Sequence, residues 1–184
     1  MTQPQAAQVD VRPGRLHEAD ALAETAIAAW REGFRGIVPD VVDPAKAWRP
    51  ERIAERLRGE NHDGGEILAA EVDGEVRGLA LIGPHRGTDA EPDEGEIIAL
   101  YVHPTRWRQG VGSALVAGAL DRLAQWGFST AVVWTLAESP RNLAFYEALG
   151  FKRDGASQRR PSFGSPLEVR FRIGLAARRS PLAR

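Results

Sequence analysis

Residues 95–127, GEIIALYVHPTRWRQGVGSALVAGALDRLAQWG, place an apolar run, a basic glycine-bearing loop and an amphipathic stretch in direct succession, and few folds accommodate that order. Ile97, Ile98, Ala99, Leu100, Tyr101 and Val102 are apolar at consecutive positions, as in a strand buried on both faces. From Val111 onward, Leu115, Val116, Ala119, Leu120 and Leu123 recur at helical spacing, and Gly127 stands where a C-terminal glycine ends a helix. Between them, residues 103–112 form a polar loop ending Arg108-Gln109-Gly110-Val111-Gly112. A helix N-terminus leaves its first N–H groups unpaired and carries partial positive charge, so such a loop suits an anion, phosphate above all. No proline between Thr105 and Ser113 removes a donor, Gly110 and Gly112 allow close backbone approach, and Arg106 and Arg108 add charge. The other reading is an ordinary strand-to-helix turn with solvated arginines.

Spacing excludes two common nucleotide motifs. A dinucleotide fingerprint has its first glycine almost directly after the strand and a third inside the helix, where Leu115 stands here; a Walker loop needs Gly-Lys-Ser/Thr, which the chain lacks. Instead, Val102-His103-Pro104-Thr105-Arg106-Trp107-Arg108-Gln109-Gly110-Val111-Gly112 resembles the central motif of the GNAT superfamily of acyl-CoA-dependent N-acyltransferases. It departs at Trp107, where the family often has Arg or Gln, and at Arg108, where it often has Gly. A second stretch, Asn142-Leu143-Ala144-Phe145-Tyr146-Glu147-Ala148-Leu149-Gly150-Phe151, is similar to the family pattern Asn-x-x-Ala-x-x-x-Tyr-x-x-x-Gly-Phe with a shortened interval before the tyrosine.

Read in order, the chain gives an expected edge strand at residues 9–12 and a helix from about Glu18 carrying Leu22, Ala26, Ile27, Trp30 and Phe34. A second helix is expected over about 50–58, with Pro50 in its first turn. Strands at 66–72 and 75–82 flank Asp73-Gly74, a type I′ hairpin signal. Residues 83–95 carry too many acids, prolines and glycines to bury and are expected to form a mobile loop. A buried strand follows at 130–136, joined to the central strand by a right-handed parallel crossover. Ser139 is expected to cap a helix begun by Pro140 and ended by Gly150, before two last strands at 151–153 and 167–173. This order resembles the GNAT order throughout. The resemblance implies an α/β (α+β) GNAT-like fold: a mixed twisted sheet of about seven strands, about four helices and a parallel β-α-β acyl-CoA-binding unit. One domain is expected over 8–175, between a disordered segment at 1–7 and a basic tail at 176–184.

Net charge is −1, which gives no global attraction to nucleic acid or to a membrane. It is unevenly spread: residues 60–96 hold eleven acids against Arg77 and Arg86, and residues 152–184 hold nine bases against Asp154 and Glu168. These are either solvated faces or an acidic border to a cationic substrate's path with a basic region for a partner or phosphorylated cofactor. With no cysteine, disulfides and a thiol nucleophile are excluded, and the histidines at 17, 62, 85 and 103 share no ligand spacing and read as surface or loop residues. No metal is expected. The N-terminal residues lack an apolar signal core and no uncharged run is long enough to span a bilayer, so a cytoplasmic protein is expected.

The resemblance implies acetyl-CoA as acyl donor and a primary amine as acceptor, reacting by direct attack in a ternary complex. It places the pyrophosphate at Trp107, Arg108, Gln109, Gly110, Val111, Gly112 and Ser113, and the pantetheine arm along the backbone of Leu100, Tyr101 and Val102. It makes Tyr146 the acid that protonates the leaving thiolate and Asn142 a CoA contact; an alternative for Asn142 is a helix cap. Trp30 and Phe34 would wall the acceptor site or pack in the core. An alkyl amine costs about 4.6 kcal/mol to deprotonate at pH 7, so a base is wanted, and Glu96 at the start of the central strand is the candidate. A homodimer is common in the family. The alternative function is a catalytically silent acyl-CoA-binding module acting through a protein partner.

Overall fold

The structure is a computed structural model in which residues 8–39 and 41–175 are described. The segments 1–7 and 176–184, expected to be disordered and tail-like, lie outside the described residues. Seven strands form one sheet: β1 (Val9–Pro13), β2 (Glu66–Val72), β3 (Glu75–Pro84), β4 (Glu94–Val102), β5 (Thr130–Leu136), β6 (Lys152–Arg159) and β7 (Leu167–Gly174). Their order across the sheet is β1-β2-β3-β4-β5-β7-β6, with every pair antiparallel except β4 and β5. The helices are α1 (Ala19–Gly33), the single turn α2 (Pro44–Ala47), α3 (Pro50–Leu57), α4 (Val111–Gln125) and α5 (Pro140–Ala148). Among the described residues, none is long and apolar enough to cross a membrane.

Local sequence explains much of this. Asp73 and Gly74 both take positive φ, 54° and 79°, as a type I′ turn requires, and they close the β2–β3 hairpin. The apolar residues of β4 serve two cores: successive side chains point to opposite faces, and one extra residue in the pairing with β3 shifts that alternation, so Ile97 and Tyr101 face opposite ways. Ile97 packs with Val111, Leu115, Leu123, Val133 and Phe171 on the α4–α5 face, while Tyr101 packs with Leu22, Trp30, Ile53 and Leu79 on the α1–α3 face. Gly95 is required by this packing: a Cβ there would lie 2.8 Å from the Leu123 side chain.

Three expectations need correction. The strand expected at 151–153 runs from Lys152 to Arg159, carried past Gly155 by an irregularity in its pairing with β7. Ser139 is buried and precedes α5, but its hydroxyl makes no capping hydrogen bond. The acid-rich stretch after β3 is not wholly solvated, because His85 and Glu94 are buried there.

His85 and Glu94 belong to a polar clasp between β4, β5 and β7. The Glu94 carboxylate takes hydrogen bonds from His85 Nδ1 and from Arg172, while Thr130 donates to it at 3.5 Å. Arg170 and Arg172 in turn hold Asp154 at 2.7 and 3.3 Å, and Arg170 reaches Asp89. A carboxylate removed from water needs such partners, since an unpaired buried charge costs several kcal/mol. Among the described residues His85 Nε2 has no partner. Burial pushes the His85 imidazole below its usual value, Arg170 and Arg172 act in the same direction, and Glu96 and Asp89 oppose them. The imidazole is therefore neutral and donates from Nδ1 to a carboxylate whose charge Arg172 already answers.

The lowered value carries a pH signature. The unfolded chain takes up a proton on His85 near its ordinary value of about 6.5 and the folded chain only below that, so this stability is complete above about 6.5 and lost as pH falls through the folded value. Melting curves of the parent and of His85→Gln between pH 7.5 and 5 should show a shallower fall in the variant; parallel falls would contradict a buried neutral imidazole.

Candidate active site

The parallel pairing of β4 with β5 is short. It joins Glu94, Gly95, Glu96 and Ile97 to Thr130, Ala131, Val132 and Val133, and stops. Residues 98–102 of β4 continue along β3 but, among the described residues, have no strand on their other side, while residues 134–136 of β5 stay with β7. A β-bulge marks the point of divergence: Ile82 pairs with Ile97 and Leu81 with Ala99, leaving Ile98 over. An extra residue bends its strand and sharpens its twist, which carries the end of β4 away from β5. Alternate backbone N–H and C=O groups of residues 98–102 then face the gap.

Two cavities meet at this gap. One, of about 420 Å³, is lined by Leu100, Tyr101, Val102, Trp107, Arg108, Gly110, Gly112, Ser113, Arg141, Asn142, Phe145 and Tyr146. The other, of about 310 Å³, lies on the α1–α3 face and is lined by Trp48, Arg52, Arg56, Arg86, Trp134, Arg160 and Glu168, among others. Phe34, Leu100, Tyr101, Asn142 and Tyr146 line both.

At the mouth of the larger cavity the loop 103–110 delivers the N-terminus of α4. The Ala114 N–H bonds back to the Gly110 carbonyl at 3.0 Å, and among the described residues no side chain caps the three N–H groups before it. Gly110 takes φ 84° at the N-cap. Arg108 also takes positive φ, 62°, a conformation that costs a non-glycine residue about 1–2 kcal/mol. The position thus has a glycine's geometry without a glycine, so the departure from the family motif at Arg108 leaves the loop backbone as a glycine would. Trp107 is a structural pin: its indole N–H donates to the Val102 carbonyl at 2.7 Å, and the Arg141 guanidinium lies 4.1 Å over its ring. Gln109 turns away, its amide donating to Thr105 O at 2.9 Å, and Arg106 is held by Asp73 at 2.7 Å. The Val111 side chain is in the core, so that residue offers the cavity only its backbone.

Tyr146 stands on the buried face of α5, its ring against Phe145, Phe151 and Phe171. Among the described residues nothing hydrogen-bonds its hydroxyl, and the side chain borders both cavities. Burial pushes the phenol above its usual value, which keeps it protonated at neutral pH. Asn142 sits one turn earlier on the same side of α5. Trp30 is buried in the core, whereas Phe34 reaches both cavities.

Glu96 is not brought to this junction. It is buried low on β4, where its Oε2 accepts from the Arg86 backbone N–H at 3.4 Å, and it lines neither cavity. The carboxylate that does line the acceptor-side cavity is Glu168 on β7, opposite Leu136. Its Oε2 accepts from Gln158 at 2.8 Å and Arg160 at 3.0 Å, leaving Oε1 without a donor among the described residues. In sequence, Glu168 reads as one charged residue in the alternation Leu167-Glu168-Val169-Arg170-Phe171-Arg172, an outer-face pattern. Among the described residues no cluster of three acidic or histidine side chains is placed to hold a metal ion.

The acetyltransferase (GNAT) family model matches residues 24–151. The uncharacterized N-acetyltransferase YuaI of Bacillus subtilis (strain 168) is 30% identical over 145 residues, covering 79% of this chain and 81% of that protein. The PaiA N-acetyltransferase of Thermoplasma acidophilum, solved in complex with coenzyme A, superposes with a TM-score of 0.72 at 17% identity, over 89% of this chain and 98% of that one. The yncA protein of Salmonella typhimurium, solved with its cofactor acetyl-CoA, gives 0.68 at 21% identity, over 96% and 99%. The parted strands, the uncapped helix N-terminus and these likenesses agree, and the chain belongs to the GNAT acetyltransferase family.

Proposed function

We propose that the protein transfers an acetyl group from acetyl-CoA to a primary amine by direct attack in a ternary complex. One observation carries this reading: the gap between β4 and β5 joins a helix N-terminus without a side-chain cap on one face of the sheet to a polar cavity on the other, with Tyr146 between them. The site fits the donor. The α4 N–H groups with Arg108 and Ser113 suit a pyrophosphate, and the gap-facing backbone groups of residues 98–102, apart from the Val102 carbonyl that Trp107 holds, suit the amides of an extended pantetheine arm, as an added strand would pair. Acetyl-CoA supplies an acyl group activated as a thioester.

In this reading a backbone N–H at the end of β4 stabilises the charge that develops on the thioester oxygen. The C–N bond forms as the C–S bond breaks, and Tyr146 gives its proton to the leaving sulfur. A phenol near 10 and a thiol near 8.5 are separated by roughly 2 kcal/mol, and burial raises both, so the transfer stays within reach. The amine proton goes to Glu168, the carboxylate that lines the acceptor cavity.

Tyr146→Phe should lower kcat about a hundredfold, the range of a lost general acid, with acetyl-CoA affinity unchanged. Unchanged turnover would remove Tyr146 from the chemistry, and an inactive parent that still binds acetyl-CoA would favour a silent binding module. Arg108→Gly should raise stability by roughly 0.5–1 kcal/mol through relief of the positive φ. Calorimetry should show its acetyl-CoA affinity changed less than tenfold, because the main donors are backbone groups; a hundredfold loss would assign the phosphates to the guanidinium instead.

A further inference from the structure

The acid-rich stretch 60–96 does not border the acceptor-side cavity as an unpaired negative face. Glu66 is engaged by Arg122, Glu71 by Arg12, Asp73 by Arg106 and Glu94 by Arg172. What lines the cavity is arginine: Arg52 from α3, Arg56 one turn on, Arg86 after β3 and Arg160 after β6. Two acids answer them. Asp63 binds Arg56 through both oxygens at 2.8 Å and is held down to about 2 by it, and Glu168 takes Arg160. Arg86 has only a share in Asp63, at 3.6 Å, and is half exposed. Arg52 has no acidic partner among the described residues. The wall therefore keeps an excess of positive charge at Arg52 and Arg86.

A simple alkyl ammonium or a diamine is repelled by such a wall. Four arginines in one cavity suit the opposite group, since a guanidinium presents a planar fork matched to a carboxylate or phosphate oxyanion. The same excess charge favours the neutral form of an amine held nearby, because a like charge disfavours protonation. The two ends of the cavity are distinct. Arg56 lies against Gly65 beside the lower strand ends, and Glu168 pairs at Leu136, three residues beyond the last β4–β5 pair and so roughly 10 Å along the strand. An acceptor can thus turn its amine to the gap and its anion toward Arg52 and Arg86.

We propose that the acceptor is an amine that carries an anionic group, of the carboxylate class, read by Arg52 and Arg86. This deepens the acetyltransferase reading and rests on it. The test compares kcat/KM for α- and ω-amino acids with that for the carboxamide of each, using acetyl-CoA as donor, in the parent and in Arg52→Gln and Arg86→Gln. Both variants lie at exposed positions, and melting curves with acetyl-CoA confirm that each is folded and binds the donor. The free acid should be preferred at least tenfold for the best pair, although its amine is the more basic, and each variant should narrow that preference by raising KM for the acid. Turnover with no preference, or a preference that neither variant narrows, overturns the anion site and leaves acetyl transfer standing. No turnover of any member, with acetyl-CoA still raising the Tm, overturns acetyl transfer and this inference together.

Discussion

The ladder between β4 and β5 ends after Ile97 and Val133, and the candidate site exists because it ends there. Had the pairing continued, the backbone of residues 98–102 would be satisfied within the sheet and no gap would join the two faces. Two devices set the stopping point. Above it, the bulge at Ile98 bends β4 away; below it, Glu94, His85, Arg172 and Thr130 tie the strands together where they still run side by side. A bend without a clasp would fray the sheet centre, since unpaired parallel strands are held only by side-chain packing. The clasp without the bend would close the slot.

The same division governs charge. Below the divergence, the buried Glu94 carboxylate is answered by Arg172 and His85, so its charge is spent on holding the sheet. Above it, among the described residues, polar groups are left with open valences: the first N–H groups of α4, the Tyr146 hydroxyl and Oε1 of Glu168. Groups of this kind are costly to bury unpaired and are kept where a ligand completes them. Trp107 makes the loop rigid without occupying those valences, since its one donor is given to Val102 and its ring face to Arg141.

Features carried by local periodicity were legible in the sequence. The apolar run of β4, the spacing of Leu115, Val116, Ala119 and Leu123 on α4, and the Asp73-Gly74 turn each need only neighbouring residues to act, and each lies where expected. Features that depend on distant partners were not. Nothing near His85 or Glu94 in sequence announces burial, because the arginine that makes it affordable is Arg172, brought in by β7. The bulge at Ile98 is invisible in a continuous apolar run that suits either face. Arg108 hides a positive φ that glycine would have advertised. Glu168 reads as an outer residue of an alternating strand, yet that face is covered by the acceptor-side cavity wall. Glu96 has the residue type and strand for a base, but its depth along β4 takes it below the cavity.

The central physical claim is that an extended pantetheine arm completes the open edge of β4. Amide hydrogen exchange with and without CoA tests it directly. Protection should rise at residues 98–102 and at the start of α4, while residues 130–133 of β5, already paired on both sides, stay as they are. If CoA binds and residues 98–102 exchange as fast as before, the arm does not lie in the gap, and the parted strands have another use.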